Sequence, residues 1–193
     1  MKKLLPLFCL LLLFAACSAD EEYSTRACRF AYDNSLYLDE TLASAMNSQS
    51  RGIFCHVSET SQAGARWLVF RSNNDTESRK QEMAQEQRAS YILGMNNGII
   101  VGFQTLNTQP NGGFVAYDAQ CANCVRLSGN SISPKYPLSM ASSGIATCSK
   151  CHRRYDMNNG GIVLNGIAGD VGMEKYLATT TGPYGYISVT TRR

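Results

Sequence analysis

An all-β fold with minor helix is predicted by three observations. Short runs rich in aromatic and β-branched residues recur along the chain, clusters of Gly, Asn and Ser separate them, and only two stretches have a helical look. The runs fall at 29–32, 54–57, 67–70, 91–95, 99–103, 114–117, 145–147, 162–164, 176–179 and 186–189. Asn96-Asn97-Gly98 lies between two of them and is the clearest hairpin signal, because Asn and Gly tolerate the positive φ that such turns demand. Gly182-Pro183-Tyr184-Gly185 marks a second turn. Of the two helical stretches, 39–46 carries Leu42, Ala43, Ala45 and Met46 after a possible N-cap at Asp39. The other, 76–88, is charged on all sides and reads as a solvated helix or a mobile loop.

The start of the chain reads differently. Met1-Lys2-Lys3 precedes an apolar run from Leu4 to Ala16, which is too short to span about 30 Å of hydrocarbon. A cationic start, a short apolar stretch and small residues at its end describe a secretory signal peptide over 1–16. Ala15-Ala16-Cys17 resembles a bacterial lipobox, with Phe14 where that pattern usually has Leu. The resemblance implies cleavage before Cys17 and lipidation of its thiol and new amino group, an anchor firmer than one acyl chain. Ser18 follows the cysteine, so the outer membrane is the expected destination, and residues 17–27 form a lipidated tether. Asp20-Glu21-Glu22 looks like the surface-export tether of Bacteroidetes lipoproteins.

Charge excludes one class of partner. The chain has 18 basic and 15 acidic side chains, and loss of Lys2 and Lys3 leaves 16 against 15. No basic stripe is present, so nucleic acid is not an expected partner. No nucleophile triad, paired carboxylates or phosphate loop can be read, and catalysis is not expected.

Eight cysteines divide by position. Cys9 leaves with the signal peptide and Cys17 takes lipid. Cys28 and Cys55 either form a disulfide, which export permits, or stay as buried thiols. A bridge closing that loop would contribute about 3–4 kcal/mol by restricting the unfolded chain. Cys121-Ala-Asn-Cys124 and Cys148-Ser-Lys-Cys151 form two knuckles with 23 residues between them. Two such knuckles, each ending a strand and brought face to face, place four sulfurs about 2.3 Å from one centre. Zn²⁺ suits that geometry, and so does a [2Fe–2S] centre held by thiolates; zinc is favoured because it is redox-inert and survives outside the cell. A third state closes each knuckle as a disulfide or cycles it as a redox pair. No helix N-terminus is expected after either knuckle to lower a thiol pKa, which argues against redox catalysis.

The residues after the second knuckle carry a family resemblance. Cys148-Ser-Lys-Cys151-His152-Arg-Arg-Tyr155-Asp156, then Gly161, Gly166 and Ala168, resembles the second cluster loop of a Rieske domain. Phe114-Val-Ala-Tyr117-Asp118 resembles the strand leading into the first loop. The chain is similar to Rieske-like lipoproteins of Bacteroidetes. The resemblance implies an antiparallel β-sandwich over 28–193 with a small metal subdomain at about 114–168, built like a zinc ribbon or rubredoxin. A Rieske centre needs Cys-x-His and Cys-x-x-His. Cys121 and Cys148 keep the cysteine ligands, whereas Cys124 and Cys151 replace the histidines, so the proton-coupled chemistry of those imidazoles is not expected. His152 adjoins Cys151 and either competes as a ligand or stands at the family's glycine position with its ring at the rim. His56 reads as a surface histidine, and Trp67 as a core or sheet-face residue. Lys150, Arg153 and Arg154 crowd the second knuckle, where they would offset a thiolate site of net charge near −2 or simply be solvated.

Overall fold

The structure, a computed structural model, describes residues 23–81, 91–106, 112–133 and 135–192. The expected signal peptide, Cys9 and Cys17 lie outside those residues. The order of elements is β1 (Arg29–Asp33), α1 (Asn34–Tyr37), α2 (Glu40–Ala45), β2 (Phe54–Gln62), β3 (Ala65–Ser72), β4 (Glu77–Gln81), β5 (Ile99–Phe103), β6 (Phe114–Asp118), α3 (Ala122–Leu127), β7 (Leu138–Met140), β8 (Ile145–Cys148), β9 (Arg154–Asp156), β10 (Ile162–Val163), β11 (Lys175–Thr180) and β12 (Tyr186–Thr190). The fold is all-β with minor helix, and the strand pairs among the described residues are antiparallel.

Eight strands form one sheet in the order β1-β12-β11-β6-β5-β2-β3-β4. Tyr32 on β1 and Phe70 on β3 stand six strand positions apart, about 29 Å in a flat sheet. Their ring centroids are 5.5 Å apart, so the sheet curls until its ends meet around a core. Period-two alternation then fixes which side chain goes where. On β5, Ile99, Val101 and Phe103 enter the enclosed core, while Ile100 points to the other face. On β6, Phe114 and Ala116 point inward, and Val115 and Tyr117 outward.

A second sheet, β10-β9-β8-β7, covers that outer face. Its Ala146, Cys148, Tyr155 and Met157 pack with Phe54, Ile100, Val115 and Tyr117 in a second core. Both faces of β5 and β6 are therefore covered, and every residue of the two strands is buried. Polar ties join the sheets: the Tyr117 hydroxyl donates to the Met157 carbonyl at 3.1 Å and accepts from Gln104 at 2.8 Å. Gly161 has φ +71, and a Cβ there would sit 2.8 Å from the Tyr117 ring, so that close approach needs glycine.

Several expectations change. The stretch 76–88 was expected as helix or loop, but Glu77–Gln81 is a strand paired with β3, and residues 82–90 lie outside the described part. The run 91–95 is not a strand: Ile92 makes a single bridge to Arg29, and the Met95 N–H is taken by the Asp118 carboxylate at 2.7 Å. Asn96-Asn97-Gly98 is thus a turn entering β5 rather than the tip of a two-stranded hairpin. The turn at 182–185 does join paired strands, β11 and β12. Helix α2 falls where expected, with the Asp39 carboxylate accepting from the Leu42 N–H at 2.9 Å.

Candidate metal centre

Cys121 ends the segment after β6 and serves as the N-cap of α3, with an extended backbone at φ −69° and ψ 109°. Cys124 lies in the first turn of that helix. This corrects two expectations, since the first knuckle leads into a helix rather than ending a strand. The helix has six residues, and the spacing of Cys-Ala-Asn-Cys hides so short an element. The second knuckle does follow a strand, with Cys148 the last residue of β8. The turn closes through the His152 N–H to the Cys148 carbonyl at 2.9 Å and the Cys148 N–H to the Arg153 carbonyl at 3.0 Å. His152 is exposed and has φ +58°, a conformation natural to glycine and less rare for His than for most residues.

The fold brings the two knuckles together. The sulfurs of Cys121, Cys124, Cys148 and Cys151 all lie within 4.8 Å of one another. Cys121 and Cys151 are 3.6 Å apart, and Cys124 and Cys148 are 3.7 Å apart. Tetrahedral ligation at 2.3 Å gives sulfur–sulfur edges of about 3.8 Å. Cys121, Cys124 and Cys148 are buried, and Cys151 is partly exposed. The four residues could hold a metal ion, and with four thiolates no position remains open for a substrate.

Hydrogen bonds reach the sulfurs from several sides. The Tyr155 hydroxyl lies 3.1 Å from the Cys121 sulfur and accepts from the Asn123 amide at 2.9 Å. Asn123 also donates to the Val171 carbonyl at 2.8 Å and accepts from its N–H at 3.0 Å. Burial pushes the Cys121 thiol up to about 11, against the pull of the Tyr155 hydroxyl and the Cys124 N–H. Burial and the neighbouring Cys151 sulfur raise Cys124. Burial also opposes ionisation of Cys151, but the Arg153 N–H and guanidinium outweigh it and bring that thiol down to about 7. Arg153 is itself held by Asp170 through paired bonds of 2.8 and 2.7 Å. Of the three basic residues in the second knuckle, Arg153 is the one seen against a sulfur.

Sequence reasoning missed Asn123 and the helix that carries it. The signal was present, because an amide inside a cysteine knuckle is well placed to hydrogen-bond across it. Tyr155 entered only through the family resemblance, and Asp170 not at all.

The expected Cys28–Cys55 bridge is not formed. Both residues are buried as free thiols in the larger core. Cys28 leads into β1 and Cys55 lies on β2. Their surroundings differ: Cys28 meets the Gly94 backbone, and Cys55 the Arg71 backbone. Burial raises both, Cys28 to about 12. His56 is likewise not a free surface histidine. It is half-buried with Nε2 against the Asn97 carbonyl, and burial lowers its pKa.

Compared with known proteins, the chain matches no family, no curated protein and no solved structure. No helix among the described residues is long and apolar enough to cross a membrane.

Proposed function

We propose that this chain is an exported envelope protein, anchored by lipid on Cys17, whose Rieske-like β domain carries one structural zinc ion on Cys121, Cys124, Cys148 and Cys151. The observation that carries the metal reading is the compactness of the sulfur quartet, with no pair beyond 4.8 Å. A [2Fe–2S] centre divides four thiolates between two irons and spreads opposite pairs further than one ion does. The tetrad therefore favours a single ion, and zinc in a closed four-thiolate site holds loops together without redox chemistry. The metal's role is to pin α3 and the β8–β9 turn against each other. The protein then acts as a structural or binding module at the envelope.

A one-electron carrier is the second reading, and hydrogen bonds to sulfur favour it. Tyr155 reaches Cys121, and Arg153 reaches Cys151; such contacts tune the potential of iron held by thiolates. A thiol–disulfide protein is disfavoured because the short sulfur contacts run between the knuckles, Cys121 to Cys151 at 3.6 Å and Cys124 to Cys148 at 3.7 Å, rather than within either Cys-x-x-Cys pair.

Elemental analysis and visible absorption of the full-length protein, purified in detergent, test the choice. A colourless sample with one zinc per chain supports the structural site; a coloured sample with iron and labile sulfide reverses the order. The anchor has a separate test. Cys17→Ser removes the lipid-bearing thiol and is expected to release the protein from membranes, while unchanged retention would contradict the lipid assignment.

A further inference from the structure

The described chain begins at Tyr23, and that segment is docked rather than projecting. The Ser24 N–H donates to the Lys175 carbonyl at 2.8 Å, the Arg26 carbonyl accepts from Thr191 at 2.8 Å, and Tyr23 lies beneath the Arg192 guanidinium at 5.8 Å. Tyr23, Ser24 and Thr25 share a cleft of about 520 Å³ with Arg126, Val171, Glu174 and Lys175. Six residue steps separate Tyr23 from Cys17, and a fully extended chain covers at most about 22 Å in that length. An anchor at Cys17 therefore holds this part of the molecule close to the bilayer.

The same part exposes aliphatic side chains. Leu127, at the end of α3, is 76% exposed, and Ile167 is 75% exposed. Arg126 donates to the Gly169 carbonyl at 2.8 Å, which joins the end of α3 to the 167–171 loop, and Val171, also exposed, lines the cleft. Basic residues rim it. Arg126 and Arg192 are exposed, and Arg26 reaches the Asn130 carbonyl at 3.5 Å; the acidic neighbours are Glu174 and Asp170, the latter paired with Arg153.

We propose that Leu127, Ile167 and Val171, with their basic rim, lie against the bilayer that carries the anchor, so that the cysteine tetrad faces the membrane. The proposal rests on the lipidation of Cys17 put forward above. Aliphatic side chains beside Arg and Lys suit the boundary between headgroups and acyl chains. The far end of the molecule gives an internal control. Leu36 is exposed beside the 182–185 turn, where the Asn34 N–H meets the Gly185 carbonyl, at the opposite end of β11 and β12 from Lys175 and Arg192.

The full-length lipidated protein is reconstituted in vesicles of phosphatidylcholine and phosphatidylglycerol with brominated acyl chains. Trp67→Phe removes the single native tryptophan, and Ile167→Trp or Leu36→Trp then reports each end. Bromine is expected to quench the tryptophan at 167 about twofold or more and to spare that at 36. Equal quenching, or none at 167, overturns the proposal. Hydrogen exchange of the wild-type protein on vesicles gives the same answer without substitution: slowed exchange at 126–128 and 166–171 supports it, and unchanged exchange there overturns it. Mass analysis of the N-terminal peptide separates the two readings. A lipidated peptide with position 167 unquenched sinks the orientation and leaves the anchor standing; an unmodified peptide sinks the anchor, and the orientation with it.

Discussion

Tyr155 and Asn123 decide how the sulfurs of the first knuckle are held. The Tyr155 hydroxyl stands between the Cys121 sulfur at 3.1 Å and the Asn123 amide at 2.9 Å, and all three residues are buried. Tyr155→Phe keeps the ring in the core and removes only that hydroxyl. It is expected to cost about 1–3 kcal/mol in chemical denaturation of the metal-loaded protein and to weaken metal retention about 10–100-fold. Unchanged values would show that the hydroxyl serves packing alone. Asp118 offers a second prediction at this scale. Burial raises its carboxyl to about 6, although Tyr176, Met95 and Gln120 all donate to it. A carboxyl raised on folding binds its proton more tightly in the native state. Its contribution is therefore full below the unfolded value near pH 4 and is lost as pH rises through about 6. The loss is about 3 kcal/mol. Thermal melts between pH 4 and pH 7 should show this fall in the wild type and a flatter profile in Asp118→Asn. Equal slopes would contradict it.

Among the elements, the second knuckle and the small sheet depend most on the metal. His152 occupies a left-handed position in the knuckle turn, so His152→Gly is expected to leave metal content unchanged and to raise stability by up to about 1 kcal/mol. Loss of metal in that variant would make the imidazole a ligand. Strand β10 has two residues, and β7 and β9 have three each, too little ladder to order themselves. Chelation followed by hydrogen exchange should speed exchange in α3 and β7–β10 about tenfold or more, while β5 and β6 stay protected. A uniform response would mean that the metal does not govern the small sheet separately. Two elements, β4 and α3, were hard to read in the sequence. Strand β4 is a charged edge strand whose Glu77 pairs with Arg71 and Arg79, and edge strands carry charge that masks the alternation. Helix α3 is too short for periodicity, and its first turn is spelled by the cysteines themselves.

In the whole molecule, the main sheet was legible because strands buried on both faces read as continuous apolar runs. Ile99–Phe103 and Phe114–Asp118 are apolar almost throughout, and the structure places them at its centre. The curl of that sheet was not legible, since it depends on contacts such as Tyr32 with Phe70 from distant segments. The fate of Cys28 and Cys55 was hidden for the same reason: pairing depends on the positions of β1 and β2 in the sheet, which spacing along the chain does not reveal. The tetrad was legible because two short-range pairs need only one long-range meeting, and the packing of β8 and α3 on the outer face of β5 and β6 supplies it.

X-ray absorption at the zinc edge of the purified full-length protein, with Cys148→Ser alongside, tests the single-ion centre most directly. One zinc per chain with four sulfurs at about 2.3 Å, lost in the variant, is the predicted result. A stably folded wild-type protein that carries no metal, or whose zinc has fewer than four sulfur ligands, would contradict it.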